Sequence, residues 1–268
     1  MRIGLLTGDP GHPLLAETAA LLTARGHRIE HLAPETAAPP SDPADIYLLK
    51  ARTPAALRLA RTLEDRGVPV LNSAASTEFC QDRAFMARRA VEAGFPFAPT
   101  TVLPNPRHLG AFERPLVIKS RHSRRGDLVT RVADPDELRA VARRRPDEPI
   151  VVQDFTPGTG WDHKLWVIGD QVFAALRQSE FAPEPRLPDR ASRIPHPWAD
   201  LALAVGEVFG LDIYGVDMLE VHGSPVIIDV NAFPGMRGRA GAPEALAARV
   251  LNPAPARRLR TPAGVSAG

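Results

Sequence analysis

One cysteine, Cys80, occurs in the 268-residue chain. A single thiol forms neither an internal disulfide nor a cysteine-based zinc site, and a reducing compartment is its natural setting. Apolar runs are short. None approaches the roughly 18 residues that a membrane span requires, and the N-terminal MRIGLLTGDPGHP has too little apolar length for a secretion signal. These absences predict a soluble, cytoplasmic protein with no membrane partner. Charge of either sign is also not in excess: the net value is +2 and no long basic block occurs, so no nucleic-acid partner is expected. Aromatics are few, at 6%. Lysine is scarcer still, because the basic residues are almost all arginine and only Lys50, Lys119 and Lys164 carry an ammonium. In an arginine-biased chain, a retained lysine points weakly to a place where a compact cation is wanted, such as beside phosphate. The loop after the first strand holds Gly8 and Gly11 without the G-x-G-x-x-G spacing, which excludes the dinucleotide fingerprint. No nucleophile–histidine arrangement is legible either.

What is present suffices for a core: 44% of residues are hydrophobic, an ordinary share for a globular chain of one to three domains. Residues 1–75 alternate short apolar runs (RIGLLT, His27–Leu32, DIYLL, Val68–Leu71) with helical segments at Leu14–Gly26 and Pro54–Gly67. This alternation predicts a small parallel α/β unit. Ligands bind beyond the carboxyl ends of such strands, which puts Asp9, His12, Lys50, Arg52 and Asn72 near one rim. A helix is expected over Ser76–Gly94. Prolines at 96, 99, 104 and 106 then mark a boundary. Beyond it, RPLVIKS and Leu128–Val132 read as strands around the cationic tip RHSRRG, and a helix follows Asp134-Pro135. IVVQDF is a strand, and DHKLWVI and QVFAAL form a hairpin about Gly169-Asp170. Ser179–Pro197 is proline-rich and irregular, an insertion or a mobile substrate loop. Pro197–Phe209 and Pro243–Leu251 read as helices, and 252–268 has the composition of a disordered tail.

The stretch that organises the rest is Leu211–Gly238, LDIYGVDMLEVHGSPVIIDVNAFPGMRG. Two apolar runs flank His222-Gly223-Ser224-Pro225. Asp229 and Asn231, two apart in a strand, share a face. If the runs pair, Asp217 comes alongside them. Three oxygen donors on an apolar sheet surface call for a cation, and oxygen suits Mg²⁺. A plain hairpin with acids near its strand ends would fit the same residues, so the stretch alone leaves both readings open.

Taken in order, the pieces resemble an ATP-grasp enzyme, and within that superfamily the RimK-type glutamate ligases and the inositol trisphosphate kinase branch. IVVQDF followed by GWDHKLWVIGDQVFAALRQS, and GVDML followed by IIDVNAFPG, carry the resemblance over roughly 76–238. The resemblance implies an α/β fold in which two α+β subdomains grip ATP, preceded by the small parallel domain. The divisions would be 1–75, then 76–251 with a lid at about 100–155 and a metal-bearing part at about 156–251, then the tail. It also implies roles. Lys119 would meet phosphate oxygens, and Arg83, a cofactor-binding candidate, stands where many members have Lys. Gln153, Asp154 and Phe155 would form the adenine hinge, and Asp162 would accept the ribose hydroxyls. Lys164 would lie beside the nucleotide, and Arg177 would face the phosphates or the second substrate; these two are the candidate catalytic cations. Asp217, Asp229 and Asn231 would bind two Mg²⁺, with Mn²⁺ as a substitute. The implied reaction joins a small-molecule or peptide carboxylate to an amine through an acyl phosphate, and homodimers are common among such enzymes.

Two departures stand out. The lid tip SRHSRRGD has one glycine where the ligases are glycine-rich, and Asp229 stands where they usually carry Glu. DVNAFPG is nearer the kinase branch, so a small-molecule kinase acting on an inositol-phosphate-like hydroxyl is the alternative. A non-catalytic ATP-binding protein is a third reading.

Overall fold

The computed structural model describes residues 1–124, 126–182, 184–236, 238–252 and 257–259. Their strands gather into three sheets. The first contains β1 (Arg2–Leu6), β2 (Arg28–Leu32), β3 (Ile46–Leu49) and β4 (Val70–Leu71), all pairs parallel and ordered β2-β1-β3-β4. Helices α1 (Pro13–Ala24) and α2 (Pro54–Asp65) make the crossovers. The continuous apolar runs of β1 and β3 are what a parallel sheet covered on both faces requires. Gly4 is obligatory in β1, because a Cβ there would stand 2.2 Å from the Tyr47 ring.

The single helix expected over Ser76–Gly94 is two: α3 (Ala74–Phe79) and α4 (Arg83–Glu92). Asp82 breaks it. Its backbone is extended, and its carboxylate accepts from the amides of Ala84 and Phe85 at 2.9 and 3.3 Å while pairing with Arg121. A carboxylate that caps a new helix start competes with continuation of the old one.

The second sheet is antiparallel: β5 (Thr100–Leu103), β6 (Leu116–Ser120), β7 (Val129–Val132) and β8 (Ile150–Asp154), in the order β5-β8-β6-β7. β5 was not expected among the prolines. It is an edge strand, where flanking prolines cost no ladder bond. Helix α5 (Pro135–Arg144) covers this sheet, with Asp134 accepting from the amides of Asp136 and Glu137. Ile118, Val132, Val141 and Ile150 fill the space between.

The third sheet holds β9 (Trp161–Ile168), β10 (Gln171–Gln178), β11 (Arg190–Ala191), β12 (Ile213–Val221) and β13 (Ser224–Ala232), antiparallel in the order β11-β10-β9-β12-β13. The stretch read as irregular, 179–197, therefore contributes β11 to an edge. Helix α6 (His196–Phe209) packs on one face and ends at Gly210, whose φ of 66° is the left-handed cap a glycine supplies. Helix α7 (Ala242–Leu251) packs with α1 on the first sheet's side, and Ile3, Leu15, Trp166, Ile213 and Leu246 share one apolar cluster.

A buried amide fastens the first sheet to the third. Asn72, fully buried after β4, donates to the Ile213 carbonyl at 2.6 Å and accepts from the amides of Asp212 and Ile213 at 2.7 and 2.9 Å. Sequence reasoning put Asn72 at the ligand rim; its amide is fully spent inside. Near the C-terminus the described residues 257–259 touch the body of the fold. Arg257 donates its amide to Asp212, and its guanidinium reaches the Leu211 carbonyl and Glu207. Residues 253–256 and 260–268 lie outside the described residues.

Candidate active site

The second and third sheets face each other across a cleft of about 470 Å³. From the four-stranded side come Lys119 on β6, Gln153 and Asp154 on β8, and Phe155 just beyond it. From the five-stranded side come Asp162 and Lys164 on β9, Arg177 on β10, Asp217 on β12 and Asp229 on β13. Arg83, at the start of α4, closes one end. The side chains gather because register and alternation put them on one sheet face. Arg177 is opposite Asp162, Lys164 opposite Asp217, and Asp217 opposite Asp229.

Asn231 continues that face two residues along β13, opposite Gly215, beyond the lining of the cleft. Glycine at 215 keeps the surface low there, since a Cβ would meet Pro234 at 3.2 Å. Asp217, Asp229 and Asn231 thus share one face of a paired strand couple, as the sequence suggested. Two carboxylates and an amide oxygen are a hard-oxygen donor set that fits Mg²⁺. Histidine and cysteine contribute nothing to it.

Each cation already has a protein partner. The ammonium of Lys119 is buried and donates to the Ile228 carbonyl on β13 at 3.0 Å, so it spans the cleft from one sheet to the other. Burial lowers its pKa, against the opposing pull of Asp229. Arg83 is also buried; it donates to the Ser120 carbonyl at 2.8 Å, pairs with Asp127 at 2.7 Å and stands 3.7 Å from Asp229. Those acids outweigh its desolvation and raise its pKa. Lys164 is ion-paired with Asp217. Burial first, then the charges of Asp217 and Glu180, push the Asp162 carboxyl up to about 6. Glu180, in the segment after β10, lines the cleft and was not picked out from the sequence.

The hinge residues are placed less simply. The Gln153 side chain donates to Thr100 Oγ1 at 3.0 Å, and the Phe155 amide donates to the Pro115 carbonyl at 3.0 Å, so that donor is committed within the sheet. The Phe155 ring lies edge-on to Phe181 at 5.9 Å and under the Arg131 guanidinium at 4.8 Å, an aromatic floor at one end of the cleft. Arg177, expected to face the phosphates or the second substrate, lines the cleft and is held by Asp189 through Nε at 3.1 Å and Nη2 at 3.0 Å. Asp189 also accepts from Arg239 at 3.0 Å. Neither Asp189 nor Arg239 was singled out from the sequence, because nothing local links residues 50 apart.

A buried ammonium from one sheet, two carboxylates from the other and an aromatic floor at one end can hold a polyphosphate with its cation. Residues 106–248 match the model of the RimK-like ATP-grasp domain. A probable alpha-L-glutamate ligase of Rhodopirellula baltica is 33% identical over 96 residues, which is 33% of this chain and 24% of that protein. Probable alpha-L-glutamate ligase 2 of Shewanella sp. (strain W3-18-1) is 28% identical over 200 residues, 68% of this chain and 65% of that protein. The aligned part is therefore less than two thirds of either relative's length. Among solved structures, a RimK domain ATP-grasp protein of Sphaerobacter thermophilus superposes with a TM-score of 0.80 at 24% identity, covering 94% of this chain and all of that one (100%). D-alanine–D-alanine ligase of Bacillus anthracis, complexed with ATP, gives a TM-score of 0.72 at 18% identity, covering 93% and 92% of the two chains. These structures share the fold.

Proposed function

The chain belongs to the RimK-like ATP-grasp family, and from that we propose that it is a Mg-ATP-dependent carboxylate–amine ligase. The observation that carries this reading is the convergence of Lys119 from one sheet with Asp217 and Asp229 from the facing sheet on a single cleft. ATP binds between the sheets, with adenine at 153–155 beside the Phe155 ring and ribose hydroxyls on Asp162. Lys119 and Arg83 meet the phosphates. Asp217, Asp229 and Asn231 are the ligands for Mg²⁺, which when bound would neutralise phosphate charge. A carboxylate oxygen of the acceptor attacks the γ-phosphorus and ADP leaves. The amine nitrogen then attacks the acyl carbon, inorganic phosphate leaves with the bonding pair, and the amine loses a proton.

The residues contribute position and charge rather than covalent chemistry. That agrees with a cleft lined by cations and carboxylates. The names of the curated relatives support L-glutamate as one substrate. We assign the lid to about 100–155 and the metal-bearing part to about 156–251, with action in the cytoplasm.

The test is phosphate release from Mg-ATP over a panel of amino acids, peptides and polyol phosphates. Free phosphate that appears only with a carboxylate and an amine together is the expected result. Label from the γ-phosphate retained on a stable product would instead give the small-molecule kinase, the reading that Asp229 motivates. ATP binding without turnover over the whole panel would leave a binding protein.

A further inference from the structure

Trp166 is buried in β9, and two guanidinium groups lie against its ring, Arg177 at 5.4 Å and Arg239 at 4.9 Å. Two cations on one indole repel each other unless an anion joins them. The anion is Asp189. Its carboxylate takes Nε and Nη2 of Arg177 at 3.1 and 3.0 Å and Nη2 of Arg239 at 3.0 Å. Bidentate guanidinium pairing of this kind is the geometry in which arginine recognises any carboxylate.

Three features set this cluster apart from an ordinary surface ion pair. Asp189 sits on the 179–197 segment beside β11, whose sheet pairing is limited to Arg190 and Ala191. Arg239 Nε is buried with no hydrogen-bond partner among the described residues, which leaves a donor for a further oxygen. The cluster also adjoins the cleft: Arg177 lines it, Lys164 helps hold Asp189 ionised, and Asp217 acts on Arg177.

We propose that Arg177 and Arg239, braced on Trp166, form a subsite for the non-reacting carboxylate of a substrate, and that Asp189 occupies this subsite as an internal stand-in. Paired guanidiniums withdraw charge from the carboxylate they hold, so the held group is an anchor and not the attacking oxygen. The substrate class is a dicarboxylate or an amino acid. Naming that ligand a substrate rests on the ligase reading; the clamp's preference for carboxylate does not. Arg239 is then a specificity-determining residue, and binding exchanges one carboxylate for another while the 179–197 segment gives way.

The test uses the full chain and glutarate as probe, by isothermal titration, with and without Mg²⁺ and the non-hydrolysable ATP analogue AMP-PNP. Asp189→Asn keeps the shape and removes the competing charge; it should bind glutarate about tenfold more tightly than the parent, and adding Arg239→Gln should abolish the gain. Asp189→Glu, which restores the charge, should return binding to the parent level. Unchanged or weaker glutarate binding in Asp189→Asn, or a gain that survives Arg239→Gln, overturns the proposal. So does equal tightening in Asp189→Glu. Thermal melts run beside the titrations, and Asp189→Ser makes the same comparison should Asp189→Asn melt early. A chain that shows this glutarate pattern and binds no Mg-AMP-PNP keeps the clamp and loses the ligase reading. The opposite pair of results loses the clamp alone.

Discussion

Lys164 stands directly across the β9–β12 pair from Asp217, and its ammonium holds the carboxylate assigned to metal binding. A cation arriving at Asp217 must share that carboxylate with Lys164 or displace it. Lys164→Gln should therefore raise the affinity of the nucleotide-free chain for Mn²⁺ by about tenfold, read by electron paramagnetic resonance, while ADP formation falls. Unchanged Mn²⁺ affinity would separate Asp217 from the metal.

Asp229 and Asn231 should part company when each is replaced. Asp229 stands 3.7 Å from Arg83 and opposes the burial of Lys119. Asp229→Asn should then lower both ADP formation, by at least about a hundredfold, and stability, by about 1–2 kcal/mol. Asn231→Ala should reduce ADP formation with little change in melting temperature. Matched turnover and melting assays on the two variants check this. Normal turnover in both would remove them from the metal site.

Asn72→Ala strands two amide donors and one carbonyl in a dry junction. A loss of about 3 kcal/mol in urea unfolding is expected, since each unpaired buried group costs about 1–3 kcal/mol before relaxation. A loss under about 1 kcal/mol would show that the junction rearranges.

Asp162 gives a pH signature. Its folded carboxyl titrates at about 6, above the ordinary aspartate value of 3.8, because burial and the neighbouring acids disfavour its charge. The raised value means that the neutral form stabilises the fold below about pH 4, and that this contribution is lost as pH rises through about 6. Stability of the nucleotide-free, metal-free chain should carry a falling component over that window. Asp162→Asn should lack it. Identical pH profiles for the two proteins would contradict the assignment.

Legibility in the sequence followed locality. The Gly169-Asp170 hairpin, the Gly210 cap and the Asp134 cap each depend on a few adjacent residues, and each formed where the sequence placed it. The shared face of Asp217, Asp229 and Asn231 was readable because period-two alternation fixes which side chains share a surface. Features set by distant partners were not readable. Asp82 stops a helix because Arg121, 39 residues away, and two local amides hold its carboxylate. The pairing of Arg177 with Asp189 was not visible, because Asp189 and Arg239 come together only through the tertiary fold. The role of Asn72 was misplaced for the same reason, its partners lying 140 and 141 residues on.

Strands β10 and β13 of the five-stranded sheet each carry a short neighbour on the side away from β9 and β12. Along β13, Ile227 donates its amide to the Pro96 carbonyl at 2.7 Å and accepts from the Ala98 amide at 2.8 Å, and at the other margin β11 lies against β10. Neither shielding piece is long enough to template another strand, and each carries prolines nearby. Growth by strand addition, the usual route from an open sheet to fibrous association, therefore meets a short, proline-flanked piece beside the strands that carry Arg177 and Asp229.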